Sequence, residues 1–167
     1  MPRRQNNGFS LIELMVVIAI VAVLLTIGLP SFQSSLRSNR IATSSNELLA
    51  SLALARSEAV RSTRGGGVCS SANGTACGGN WNNGWLVWTE TDGNGVLGAG
   101  ETVVRYIQSK PKLTLAGSAN TIAFDSRGRA IGGAQSIQLS PEGAATPIRC
   151  LQIGITGQTR VDPGACP

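Results

Sequence analysis

Histidine, cysteine, carboxylate and arginine side chains decide what chemistry this sequence could support. The 167 residues include no histidine, which removes the commonest general base and the commonest metal ligand of proteins. A serine nucleophile therefore has no imidazole to activate it, and the nine Asp and Glu residues are scattered along the chain. We predict a protein without enzymatic activity and without a bound cofactor.

Three carboxylates lie close together in sequence, at Glu90, Asp92 and Glu101. Residues 92–96, Asp-Gly-Asn-Gly-Val, resemble the start of an EF-hand calcium loop, in which oxygen ligands alternate along the chain. Glu101 stands at the tenth position of such a loop, whereas the closing glutamate belongs at the twelfth. The same residues are a strong turn signal, so we favour a solvated hairpin turn and predict no metal site.

The chain contains four cysteines, Cys69, Cys77, Cys150 and Cys166. An even number, in a chain that begins like an exported protein, favours two disulfides. Three pairings are open. We predict Cys69–Cys77 and Cys150–Cys166, because each pair would close a short loop in glycine-rich or turn-rich sequence. A zinc site is disfavoured, since no Cys-x-x-Cys spacing occurs and histidine is absent.

Arginines at two places in the chain could bind phosphate groups. Arg127 and Arg129 flank a glycine at a predicted strand end, and Arg149 and Arg160 lie near the C-terminus. Guanidinium groups bind phosphate through paired hydrogen bonds. The formal net charge of +5 is compatible with weak attraction to DNA or anionic lipid and requires neither. We favour the simpler interpretation, a turn whose arginines pair with Asp125 or with a neighbouring subunit.

The N-terminal segment has the pattern of a membrane anchor. Residues 1–8 are basic and polar, and the run Phe9–Leu29 is apolar except for Glu13. A helix over this run would span roughly 30 Å, the thickness of a bilayer core. Arg3 and Arg4 predict a cytoplasmic N-terminus, with the remainder across the membrane. The run is long for a cleaved signal peptide and has no A-x-A site, and a plain anchor does not explain a lone carboxylate.

The same helix is predicted to continue well beyond the apolar run. Pro30 is expected to bend or loosen it. After Pro30, apolar residues recur at every third or fourth position, a pattern typical of a helix with one buried face. The glycines at 65–67 should end the helix at about Arg64. We predict that residues 30–64 pack against a C-terminal domain formed by residues 65–167.

The C-terminal part changes to short strands separated by turns. Gly84–Thr89 and Glu101–Ile107 are predicted to be two strands joined by the Asp-Gly-Asn-Gly turn. Further strands are predicted at residues 112–115, 121–124, 136–139, 147–155 and 159–161. Roughly seven antiparallel strands laid against one long helix give an α+β fold.

Residues 8–14, Gly-Phe-Ser-Leu-Ile-Glu-Leu, resemble the class III signal of type IV pilins and type II secretion pseudopilins. The resemblance implies that a prepilin peptidase cuts between Gly8 and Phe9. Residues 1–8 would leave as a leader peptide, and the new N-terminus on Phe9 would be methylated. The motif is specific because it combines a glycine, a phenylalanine, an early glutamate and a long apolar run in one order.

Glu13 and Pro30 are assembly residues by this resemblance. Residues 9–29 would then serve both as the transmembrane helix and as part of a filament core. The amine of Phe9 on one subunit could pair with the carboxylate of Glu13 on a neighbour. Such a pair would offset the desolvation of both charges and set the stagger between subunits.

Four further pieces resemble the GspH/FimT group, which contains FimU-like minor pilins and type II secretion protein H. They are Leu54–Val60, the Gly84-Trp85 strand, the Asn94-Gly95 turn that leads to residues 100–103 (Gly-Glu-Thr-Val), and Phe124–Arg129. The resemblance implies a type IV pilin-like fold and a non-enzymatic subunit of the initiating or tip complex of a type IV pilus or a type II secretion pseudopilus. The implied partners are minor and major pilins or pseudopilins, the prepilin peptidase, the inner-membrane assembly platform and membrane lipid.

The implied location is the bacterial inner membrane, crossed once, with the C-terminal domain in the periplasm and later in a surface filament. An alternative is a DNA-binding minor pilin for natural transformation, since some FimT-type members bind DNA through a C-terminal Gly-Arg-x-Arg motif. The matching stretch here is Gly157-Gln158-Thr159-Arg160, so one cation is missing and DNA is not favoured. A third interpretation is an anchored periplasmic module that never polymerises.

Overall fold

A long helix that belongs to two compact units dominates the structure, a computed structural model that describes residues 9–143 and 145–167. The helix, α1, runs Leu11–Ser62. The first unit ends at Arg37 and the second begins at Ser38. The predicted helix from Phe9 to about Arg64 is confirmed. In the structure it begins slightly later and ends slightly earlier than predicted.

The first unit consists of the N-terminal part of α1. Ser10 caps the helix, because its Oγ accepts a hydrogen bond from the backbone N–H of Glu13 at 3.2 Å. Serine followed three residues later by glutamate is the sequence signature of such a cap. The side chains of residues 9–36 are exposed within this unit, although most are apolar. Pro30 lies inside α1, which is assigned without a break there.

Strands make up most of the second unit. The described residues form eight strands: β1 Gly66–Ser70, β2 Gly84–Thr89, β3 Thr102–Gln108, β4 Leu113–Gly117, β5 Thr121–Phe124, β6 Gln135–Pro141, β7 Arg149–Ile153 and β8 Thr159–Pro163. All pairings are antiparallel. They give two four-stranded sheets, with the orders β3-β2-β1-β5 and β4-β6-β7-β8. The predicted α+β fold is confirmed.

β1 is the strand that the sequence prediction missed. The three glycines were expected only to end the helix, yet Gly66 and Gly67 pair with β2 and β5 in the middle of a sheet. A Cβ at Gly67 would overlap the indole ring of Trp88, and one at Gly66 would lie 2.8 Å from the backbone oxygen of Trp88. Glycine is therefore required here by close packing, which a search for β-branched residues does not detect.

One hydrophobic core joins the second half of α1 to the inner faces of both sheets. Its largest fully buried side chains are Trp81, Trp85, Phe124, Ile41, Leu48, Leu52, Ile122, Ile137, Leu139 and Leu151. Within this core the indole N–H of Trp85 donates to Ser51 Oγ at 3.0 Å. The predicted amphipathic face of the helix therefore packs on the strands, as expected.

Two disulfides hold segments to the outer faces of the sheets. Cys69–Cys77 and Cys150–Cys166 form, with Cα–Cα distances of 5.6 and 5.1 Å. These are the two predicted pairs, in each of which the cysteines lie close together along the chain. Because Leu151 faces the core and neighbouring strand residues face opposite sides, Cys150 lies on the outer face of its sheet. The second disulfide therefore fixes the C-terminal tail across that face.

Candidate functional sites

The loop between β2 and β3 brings three carboxylates together. Carboxylate oxygens of Glu90, Asp92 and Glu101 lie within 4.8 Å of one another. Glu101 accepts hydrogen bonds from the backbone N–H groups of Thr91 at 2.9 Å and Gly98 at 2.8 Å. In the part of the chain that the structure describes, this trio is the group that could hold a metal ion. The backbone contacts explain the cluster without one, because they close the loop.

Glu90 differs from the solvated turn residue that the sequence predicted. Its side chain is 2% exposed, and it accepts hydrogen bonds from Trp88 Nε1 at 3.2 Å and from the Gly93 N–H at 3.1 Å. Burial raises the pKa of Glu90, the Trp88 hydrogen bond opposes that change, and the nearby charge of Glu101 adds to it. The expectation of solvation was wrong for this residue, because Glu90 lies two positions after Trp88, the last buried residue of β2, and bonds to its indole N–H.

Arg56 on α1 joins two loops that are far apart in sequence. Its Nε donates to the backbone oxygen of Gly128 at 2.9 Å, and its terminal nitrogen donates to the backbone oxygen of Thr156 at 3.0 Å. The first oxygen belongs to the loop after β5 and the second to the loop between β7 and β8. Two of the pieces that carry the sequence resemblance, Leu54–Val60 and Phe124–Arg129, therefore meet at one contact.

Both loops need glycine where they touch. Gly128 has φ of +72° and Gly157 has φ of +75°, a conformation that side chains rarely adopt. A Cβ at Gly157 would overlap the backbone oxygen of Gly128, and one at Gly128 would lie 3.1 Å from Arg56 Nε. The Gly-Gln-Thr-Arg stretch near the C-terminus thus uses its glycine for this contact.

The turn of residues 125–129 is built by Asp125, whose Oδ1 accepts from the backbone N–H groups of Arg127 at 2.9 Å and Arg129 at 2.8 Å. The predicted turn forms, and Asp125 bonds the backbones of these arginines instead of their guanidinium groups. The alternative, that the guanidinium groups pair with a neighbouring subunit, stays a prediction. Among the residues described, neither guanidinium has a carboxylate within 4.0 Å. The reason is geometric, since the carboxylate is already used inside the turn.

A groove of about 540 Å³ lies between α1 and these two loops. It is lined by Leu52, Ala53, Arg56, Ser57, Val60, Arg127, Gly157 and Thr159. The lining combines aliphatic side chains with two guanidinium groups and two hydroxyl groups, and it includes no carboxylate. Sequence reasoning missed this site, because its residues come from three segments that no local pattern connects.

The four arginines proposed for phosphate binding do not share one face. Arg127 lines the groove. Arg160 pairs instead with Asp162 at 3.0 Å and with Gln152 Oε1 at 2.7 Å, on the outer face of β8. Arg149 stands at the beginning of β7, on the side of that strand that Leu151 also occupies. Backbone alternation therefore places Arg149 and Arg160 on opposite faces of their sheet.

The residues of the N-terminal signal lie at the beginning of α1. Gly8 is outside the described residues. Phe9 precedes the helix and is 81% exposed, and Glu13 lies in the first helical turn. By length and composition, α1 is long and apolar enough to cross a membrane.

Two family models match the chain. The model for "Type II transport protein GspH" matches residues 44–158, which include the Arg56 contact and both loops. This chain belongs to the GspH family. The model for the "Prokaryotic N-terminal methylation motif" matches residues 3–29, which contain the predicted cut. No curated protein matches the chain in sequence.

Two crystal structures of the type IV minor pilin FimU from Pseudomonas aeruginosa PAO1 share the fold of this GspH-family chain. One has a TM-score of 0.60 and 22% identity, and the similarity covers 75% of this chain and 90% of FimU. The other has a TM-score of 0.57 at 22% identity, with coverages of 73% and 92%. At this identity the comparison concerns the fold alone.

Family membership establishes the general role of the chain. It is a subunit of a pilus or pseudopilus, from a family that is structural and not enzymatic. Membership implies assembly with other pilins or pseudopilins and processing by a prepilin peptidase. The exposed apolar part of α1 suits anchoring in a membrane before assembly.

Proposed function

We propose that this protein is a minor pilin or pseudopilin that enters the initiating or tip complex of its filament and has no catalytic activity. One observation carries the proposal: a single chain combines a GspH domain with the N-terminal methylation motif. The long helix α1 connects the two. An apolar helix that continues into a folded domain suits a protein that acts by packing against its neighbours.

Maturation would begin with a cut between Gly8 and Phe9 and methylation of the new amine. Residues 1–8 leave as the leader, and the helix 9–29 stays in the inner membrane with the domain in the periplasm. The predicted helix continuation, residues 30–64, enters the packed unit only from Ser38 onward, and the predicted domain, residues 65–167, belongs to the same unit. Assembly then transfers the helix from lipid to the filament core, so the domain reaches the surface.

Glu13 has two roles in this proposal. Its backbone N–H donates to Ser10 Oγ and closes the first turn of α1. Its carboxylate would accept the amine of Phe9 from a neighbouring subunit, because both charges are costly in an apolar core unless they pair. Pro30 would serve assembly by lacking the N–H that a helix interior normally uses.

The test uses the full chain in a host that supplies a prepilin peptidase and the other subunits. The variants are Gly8→Val, which alters the predicted cut, and Glu13→Ala, which removes the carboxylate. Gly28→Ala is the matched control, because a Cβ at Gly28 meets nothing within 4 Å. Mass spectrometry of the extracted chain reports cleavage and methylation, and the protein content of sheared filaments reports assembly.

We expect Gly8→Val to keep its leader and to be absent from filaments. Glu13→Ala should be cleaved but should enter filaments at least about tenfold less than wild type, the loss expected when one buried charge loses its partner. Gly28→Ala should behave as wild type. Normal filament entry of Glu13→Ala would contradict the pairing, and filament entry of uncleaved Gly8→Val would contradict the requirement for the cut. Absence of the wild-type chain from filaments would support the anchored module instead.

A further inference from the structure

The groove beside Arg56 carries positive charge that its own lining does not neutralise. Arg56 donates hydrogen bonds to two backbone oxygens, which carry no full negative charge, and Arg127 lines the same groove. Within residues 9–143 and 145–167, the Arg127 guanidinium has no carboxylate within 4.0 Å. A guanidinium group binds a carboxylate through two parallel hydrogen bonds, so the charge in this groove favours an anionic partner group.

The rest of the lining is suited to an amphipathic partner. Ala53 contributes exposed aliphatic surface, and Val60 is 50% exposed at the groove. Ser57 and Thr159 add hydroxyl groups that can donate or accept hydrogen bonds. A peptide segment with an aspartate or glutamate next to an apolar side chain would satisfy both kinds of surface.

We propose that this groove is a docking site for an acidic segment of a neighbouring pilin-like subunit, with the segment's carboxylate bound to Arg127. The inference rests on the proposed function, because α1 is the element through which subunits would join. A duplex is a poorer occupant, since Arg149 and Arg160 lie on other surfaces and a row of phosphates needs a row of cations. Arg56 acts as a positioning residue that holds the two loops forming one wall.

The experiment uses the full chain, expressed with the other subunits of its own filament system. A photo-crosslinking amino acid replaces Ala53, which lines the groove and is exposed. The crosslink is mapped by mass spectrometry in wild type, in Arg127→Glu and in Arg105→Glu. Arg105 is the matched control, because it is an exposed arginine on β3 and lies outside the groove lining.

We expect the wild-type crosslink to reach a segment of a pilin-like subunit that contains an Asp or Glu. Arg127→Glu should lower its yield at least about tenfold, since the new charge repels the partner carboxylate, and Arg105→Glu should leave it within about twofold. Changing the crosslinked acidic residue of the partner to arginine should restore the yield with Arg127→Glu. That reciprocal rescue distinguishes direct pairing from loss of loop structure.

Three results would overturn the docking site: no crosslink in wild type, a yield unchanged by Arg127→Glu, or a crosslink to lipid, DNA or a segment without a carboxylate. Failure of the proposed function has a different signature. The chain would then be absent from sheared filaments or keep its leader, whatever the crosslink does. If the chain is processed and assembled but its crosslink yield does not change in Arg127→Glu, only the docking site is refuted and the proposed function stands.

Discussion

Gly157 combines two constraints that usually occur separately. Its φ of +75° favours glycine on conformational grounds, and a Cβ at this position would overlap the Gly128 backbone oxygen. The contact belongs to the junction that Arg56 holds with two hydrogen bonds. A single methyl group at this position should therefore separate the two loops.

We predict that Gly157→Ala lowers the free energy of unfolding by about 2–4 kcal/mol, of which about 1 kcal/mol is the cost of the backbone conformation and the rest is overlap. The matched control is Gly133→Ala, because Gly133 has φ of +92° and a Cβ there meets nothing within 4 Å. It should lose only about 1 kcal/mol. Urea unfolding in detergent, followed by tryptophan fluorescence, measures both. Equal losses would show that the loops do not touch.

At the scale of a single structural element, the β2–β3 hairpin contains a buried carboxyl group. Its long loop is closed by side chains that accept backbone hydrogen bonds, and the most buried of them is Glu90. A buried carboxyl group beside a second carboxylate is more easily protonated in the folded state, so its folded pKa lies above the unfolded value of about 4.5. Between those two values the native state binds more protons than the unfolded state, so stability falls as pH rises.

We predict that Glu90→Gln removes this part of the pH dependence. The variant should gain stability relative to wild type as pH rises from about 4 to 7, because an amide carries no charge to desolvate. Asp92→Asn is the control in the same loop, since Asp92 is exposed and its neutralisation should change stability little. Urea midpoints at a series of pH values measure the effect. A Glu90→Gln difference that is constant across that range would refute the buried-charge explanation.

At the scale of the whole molecule, the second unit contains the complete core. Every buried hydrophobic residue lies at or after Ile41 in the described chain, and the second unit begins at Ser38. The first part of α1 contributes an exposed apolar surface and no core. The boundary between the exposed apolar part and the part that packs in the core therefore lies inside α1 and not in a loop. Such a boundary is compatible with one part entering a membrane while the other stays folded in water.

We predict that a chain beginning at Ser38 folds without detergent, because its core is intact. A chain beginning at Ser51 is the comparison, since it also lacks Ile41 and Leu48, which are 1% and 0% exposed. Loss of two such side chains costs about 2–5 kcal/mol each and should leave that chain unfolded or molten. Near-ultraviolet circular dichroism and size-exclusion chromatography report the outcome. An aggregated Ser38 chain would mean that the apolar helix supports the domain fold.

Local sequence determined the elements whose causes are local. The apolar run after Phe9 and the three-to-four spacing after Pro30 predict α1, and the Asp-Gly-Asn-Gly turn predicts the β2–β3 hairpin. The signal around Gly8 also predicted a pilin-like subunit, because such a signal is a run of consecutive residues. The GspH/FimT resemblance needed pieces of the C-terminal part as well, such as Leu54–Val60 and Phe124–Arg129. These features depend on neighbours along the chain, so periodicity and composition carry them.

Tertiary structure alone decided the features that join distant residues. Arg56 meets Gly128 across 72 positions and Thr156 across 100, and β1 exists because Gly67 leaves room for the Trp88 ring. The separation of Arg149 from Arg160 follows from strand alternation within the sheet. Each of these features depends on which surfaces pack together in three dimensions. In the sequence they appear only as isolated arginines and glycines, which any exposed loop could also contain, so no local pattern predicts them.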